Sequence, residues 1–144
     1  MAEPQNFKNH TKLVPGFHYF VLPVLVINFV WAVRHAWRVL TPDTEMQVLL
    51  AAALFVGFGL TRGFALKVQD RVIRLEMQLR LERLLSAEMR VRIPEFTLGQ
   101  LVSLRFASDA ELPALARKVL DEKLENRSAI KKLVTNWQAD NLRA

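Results

Sequence analysis

Two stretches of the chain are apolar on every side, and the stretch after them alternates. Residues 17–33, FHYFVLPVLVINFVWAV, carry no charge apart from the titratable His18. Residues 46–61, MQVLLAAALFVGFGLT, carry none, and the apolar run resumes past Arg62 and Gly63 at Phe64, Ala65 and Leu66. At about 1.5 Å of rise per residue, each run with its flanking turns crosses a hydrocarbon layer of about 30 Å. A soluble domain of this size has too little other chain to wrap two such helices, so the pattern predicts membrane spans at 17–38 and 44–66. The connection, LTPDTE, is short enough to make them an antiparallel hairpin.

Beyond the second span, RLEMQLRLE (74–82) alternates polar with apolar positions, the template of a half-buried strand. Its composition points elsewhere. It holds no β-branched or aromatic residue, and no proline occurs from 44 to 92, so a single helix about 70 Å long is expected there. Acids stand four residues ahead of bases at Asp70 and Arg74, Glu76 and Arg80, and Glu88 and Arg92, the favourable order for helical ion pairs. On a helix the alternation places Val68, Val72, Leu75 and Leu79 along one side and Ile73, Met77, Leu81 and Leu84 along the other. The rest of the chain is expected to cover one flank. The other requires a second copy, another protein or lipid, and Ile73, Met77, Leu81 and Leu84 are assigned to that association surface.

Pro94 ends the stalk, taken as 67–92, and short helices follow at about 97–107, 109–125 and 128–138. Thr97 with Gln100, and Ser108 with Glu111, have capping-box spacing, and Asn126 marks the last break. Within the hairpin, Asn28 needs a hydrogen-bonding partner, sought on the second span. Ala53, Gly57 and Thr61 at intervals of four, with Gly59 and Gly63, are assigned as the small residues of the helix-packing seam. The predicted fold is all-α, with an arm (1–16), a two-span transmembrane hairpin (17–66) whose second helix extends into the cytosol, and a cytosolic cluster of short helices (67–144).

The sequence resembles a bacterial family of small two-span membrane proteins of unknown function. The resemblance runs nearly end to end and is most specific in QNFKNH (5–10), QDRVIRLEMQLRLERLL (69–85), LRFASDAELPAL (104–115) and IKKLVTNWQAD (130–140). It implies a bacterial cytoplasmic membrane and two spans, and brings no activity, cofactor or partner with it.

Charge adds orientation. Of the net +6, Lys8 and Lys12 precede the first span, whereas Lys67, Arg71, Arg74, Arg80 and Arg83 follow the second. Both termini are therefore expected in the cytoplasm, although Arg34 and Arg38 in the connection oppose this. Lys67, Arg71 and Arg83 lack an acidic residue one turn back and are candidate contacts to lipid headgroups. There is no cysteine, and His10, His18 and His35 lack metal-ligand spacing. No nucleophile elbow, phosphate loop or dinucleotide fingerprint occurs. Neither catalytic, metal nor cofactor residues are expected, and neither nucleic acid nor a small-molecule substrate. The expected partners are the bilayer and a second copy or a membrane protein. The expected function is that of a non-enzymatic structural or adaptor subunit acting through its stalk. The alternative is a small oligomeric channel or transporter lined by His18, Asn28 and Arg62.

Overall fold

The computed structural model describes residues 6–7 and 13–140; His10 and most of the arm, 1–16, lie outside them. The chain is all-α, and it divides into two compact units, Lys12–Leu66 and one built on Lys67–Ala144.

The first unit opens with a π-helical turn, Gly16–Val21, that runs into α1, Leu22–Arg38. Pro23 explains the turn. Its ring would crowd the carbonyl four residues back and it has no N–H to donate, so the backbone widens ahead of it. The Leu22 N–H accordingly bonds five residues back, to the Phe17 carbonyl. The helix thus takes a wider turn ahead of Pro23. After α1 the chain turns through Thr41 into α2, Pro42–Leu84. Pro42 suits the first position of a helix, where an N–H would be orphaned anyway. Thr44 is buried and fastens the turn: its hydroxyl donates to the Val39 carbonyl at 2.8 Å and accepts from the Thr41 N–H at 3.0 Å.

The seam between the helices is aromatic, not glycine-lined. Phe17 stacks on Phe58 at 4.9 Å between ring centroids and Phe29 on Phe55 at 6.3 Å, while Ala32 and Ala51 are buried. The guanidinium of Arg62 lies 5.4 Å from the Phe17 ring centre. Asn28, Ala53, Gly57, Gly59 and Thr61 are exposed instead, and Gly63 is half-exposed. A methyl group added to Gly57, Gly59 or Gly63 would meet nothing within 4 Å. The spacing of four was real, but those residues sit on another face of α2 from the rings. Large faces bury more area per residue than a small-residue stripe, and they decide which side faces the partner helix. Asn28 therefore has no place in the seam.

In the second unit α2 is helical straight through 74–82, so the alternating stretch is not a strand. The helix ends at Leu84, short of the expected 92. Ser86 is extended (φ −64°, ψ 160°), and the chain restarts in α3, Ala87–Arg90, followed by a 3-10 turn at Ile93–Glu95. The break turns Met89, Ile93 and Phe96 back toward the core, where all three are buried. Three more helices follow: α4, Leu98–Leu104; α5, Leu112–Asp121; and α6, Arg127–Leu133.

Ile73, Met77, Leu81 and Leu85 are buried in one cluster with Leu101, Leu104, Leu112, Leu115, Val119 and Ile130, and Leu84 packs against it partly buried. This overturns the assignment of Ile73, Met77, Leu81 and Leu84 to an association surface. The short helices close over that flank because the turn at Leu85 and Ser86 continues the same row of apolar positions into α3 and the 3-10 turn.

Local signals set the helix ends unevenly. Thr97 and Gln100 form the expected capping box, and the Gln100 amide also donates to the Leu124 carbonyl at 3.0 Å. Asn126 caps α6 by accepting from the Ser128 and Ala129 N–H groups. Ser108 and Glu111 form no box, and Glu111 turns to the C-terminal segment instead. Lys123 closes α5 at φ +50°, with the Leu124 N–H bonded to the Val119 carbonyl at 3.0 Å. At Gly99, where α4 meets α6, a Cβ would come within 2.9 Å of the Arg127 side chain. Thr97→Ala is expected to cost about 1 kcal/mol. Thermal unfolding of the full chain, followed by circular dichroism, should show the second unit melting several degrees lower; an unchanged midpoint would contradict the cap's contribution.

Candidate functional site

Arg80 is the polar centre of the second unit. On the helical wheel it falls beside Ile73 and Leu84, inside the buried arc, and its side chain is 15% exposed. A guanidinium in that position must be supplied with acceptors. Its Nε donates to Asp109 Oδ1 at 2.7 Å and one terminal nitrogen to the Arg105 carbonyl at 3.2 Å. The other donates to the Ala107 carbonyl at 2.7 Å and to Gln138 Oε1 at 2.8 Å. One side chain thereby ties α2 to the turn after α4 and to the segment after α6.

That last segment, 134–140, is strapped down in extended form, which ends the expected 128–138 helix early. Ala107 and Trp137 form an isolated antiparallel bridge. The Gln138 N–H donates to the Phe106 carbonyl at 2.7 Å and the Ser108 N–H to the Asn136 carbonyl at 3.1 Å. The Glu111 carboxylate accepts the Thr135 and Asn136 N–H groups, both at 2.8 Å. Phe106, fully buried, stacks on Trp137 at 4.6 Å, with Arg105 at 4.7 Å and Lys131 at 5.2 Å from its ring centre. Arg105 in turn pairs with Asp140 at 3.1 Å.

The stretches 69–85, 104–115 and 130–140, which carry the family resemblance, thus converge on Arg80. Phe7, from 5–10, lies 5.8 Å from Lys132 Nζ in the same unit. A cleft of about 210 Å³ opens beside Arg80, lined by Ile73, Glu76, Met77, Arg105, Gln138 and Asp140. Both of its arginines are already engaged, so this arrangement holds the strap in place.

The expected helical ion pairs give way to others. Arg80 takes Asp109 over Glu76, and Arg92 takes Asp121 at 2.7 Å and Glu95 at 3.3 Å over Glu88. The hydrogen bond that Arg92 donates to the Asp121 carboxylate keeps its guanidinium even more firmly protonated than usual, with Glu95 adding to it. Arg83, expected at lipid headgroups, lies 3.4 Å from Asp109. Lys67 and Arg71 are exposed and line a shallow recess together with Arg74.

The opposite face of α2 stays open. Val68, Val72, Leu75 and Leu79 are 61%, 48%, 59% and 58% exposed, so this flank, not the one holding Ile73, is the uncovered apolar row. Sequence reasoning missed Arg80, Asp109, Glu111 and Gln138. A signal for Arg80 existed, because an arginine on the buried arc requires partners. Nothing local pointed to Asp109 or Gln138, which are 29 and 58 residues away in sequence.

Both apolar helices, Gly16–Arg38 and Pro42–Leu84, are long and apolar enough to cross a membrane, and only 6% of the most apolar window of each is buried in the chain. Among the described residues no group of three or more acidic or histidine side chains is placed to hold a metal ion. A model of the family of unknown function DUF6526 matches residues 1–144. No curated protein and no solved structure matches the chain.

Proposed function

We propose, on the premise that the chain belongs to the family of unknown function DUF6526, that it is a non-enzymatic adaptor or structural subunit of a bacterial cytoplasmic membrane. The hairpin anchors it with both termini in the cytoplasm, and the Lys67–Ala144 unit presents α2 to a second copy or to a larger membrane complex. One observation carries the reading: the unit completes its core against one flank of α2 and leaves Val68, Val72, Leu75 and Leu79 uncovered on the other. Four large apolar side chains in a row on one helix face favour association over solvation.

A channel has less to stand on. Asn28 is exposed, the His18 ring is within hydrogen-bonding distance of the Val14 backbone, and Arg62 lies over Phe17, so none of the three contributes to a common polar lining within the hairpin. Neither apolar run holds a carboxylate to carry an ion.

The natural absence of cysteine makes the test direct. Leu75→Cys and Leu79→Cys, each placed singly in the full chain and oxidised in native membranes, are expected to give disulfide-linked dimers. A thiol-reactive bifunctional crosslinker would capture a different partner as a heavier adduct. Glu122→Cys, on the exposed end of α5, is the reference. Crosslinking at 75 and 79 no greater than at 122 would remove the basis for the reading.

A further inference from the structure

We propose that Lys67, Arg71 and Arg74 form a binding site for the phosphodiester of an anionic phospholipid. The three bases recur at intervals of four and three residues on α2, along the strip between its covered and open faces. With Asp70 and Leu98 they line an open recess of about 300 Å³. Leu98, from the start of α4, gives it an apolar edge.

What separates these three from the other bases of the unit that pair with no carboxylate is that they stand together on one helix face, at a shared recess directly after the apolar run. Arg80, Arg83, Arg92, Arg105 and Lys118 all pair with carboxylates. Among the described residues no carboxylate pairs with Lys67, Arg71 or Arg74, and the expected Asp70 to Arg74 bridge does not form. Three cations beside one carboxylate repel one another along a helix face, and a bound anion relieves that repulsion. The source of the anion follows from position. Lys67 comes directly after Leu66, the last residue of the apolar run, so the recess begins where headgroups begin. A phosphate oxygen accepts from the fork of an arginine, and the glycerol end meets Leu98. The assignment rests on reading α2 as a membrane span.

The experiment uses the full chain in neutral detergent, titrated with dioleoyl phosphatidylglycerol or dioleoyl phosphatidylcholine and read by native mass spectrometry. Wild type is expected to retain phosphatidylglycerol selectively. The triple variant Lys67→Gln, Arg71→Gln, Arg74→Gln should lose roughly a hundredfold in that affinity, at about fivefold per base. The three side chains are exposed, so the variant should keep the wild-type circular dichroism. The control Arg117→Gln, Lys118→Gln, Lys123→Gln removes as much charge from the exposed side of α5 and the turn after it, and should keep wild-type affinity. The proposal is overturned if the control loses as much as the triple variant, if phosphatidylcholine is retained equally, or if millimolar inorganic phosphate displaces the lipid completely. Extraction of membranes with alkaline carbonate tests the span itself, so a chain released by carbonate fails for that separate reason.

Discussion

Replacing Arg80 with methionine is expected to destabilise the Lys67–Ala144 unit by about 3 kcal/mol, more than any other single polar change in it. Methionine fills much of the same volume beside Ile73 and Leu84, so the loss reports the guanidinium and not a cavity. Four acceptors lose a donor at once: the Arg105 and Ala107 carbonyls, Gln138, and Asp109, which keeps only Arg83. Exposed Asp109 can turn to water, whereas the two carbonyls sit over the core and are harder to resolvate. Arg80→Lys keeps the charge but cannot reach acceptors on both edges of a planar fork, and less than half of the loss should return. The consequence is concentrated in the strap. Limited proteolysis of the full chain in detergent should show cleavage within 134–140 accelerated by roughly a hundredfold, since about 3 kcal/mol changes an opening equilibrium by about that factor. Wild-type protection in Arg80→Met would mean that the strap is held without Arg80, by the Phe106–Trp137 stack, the Glu111 carboxylate and the backbone bonds.

Leu81→Ala and Leu79→Ala, two residues apart on one helix, are expected to behave oppositely. Leu81 is fully buried, and its truncation leaves a cavity costing about 3 kcal/mol, with the unfolding midpoint of the unit dropping well over ten degrees. Leu79 is 58% exposed, and its truncation in the dispersed chain should stay within about 0.5 kcal/mol. In native membranes the effects should exchange. Leu79→Ala, combined with the Leu75→Cys probe, should weaken crosslinking while the unit remains folded. Equal destabilisation by the two substitutions would contradict the division of α2 into a covered and an open face.

That division shows how far the alternating pattern carries. RLEMQLRLE marks two apolar flanks on a helix whichever of them is buried, because a period near two places side chains on both sides of the axis. Only the chain beyond Leu84 distinguishes them. Ser86 breaks the helix so that Met89, Ile93 and Phe96 extend the row of Ile73, Met77 and Leu81, and the cover arrives on that side. The hairpin seam is similar. Gly57, Gly59 and Gly63 met the spacing for close helix approach, but Phe55 and Phe58 on another face of α2 found Phe29 and Phe17. Small residues permit an approach without requiring one, while a large ring in lipid gains contact wherever a partner ring is available.

Read alone, the amino-acid sequence determined the helical class, the two long apolar helices, the cap at Thr97 and the break at Asn126, since each depends on neighbours within about one turn or on composition summed over a segment. The tertiary structure alone decided which flank of α2 is open and which acids the arginines choose. It also decided where the C-terminal segment lies. These outcomes compare contacts between residues as far apart as Arg80 and Gln138, and a helical neighbour such as Glu76 loses to a distant carboxylate when the distant one is presented along with backbone carbonyls.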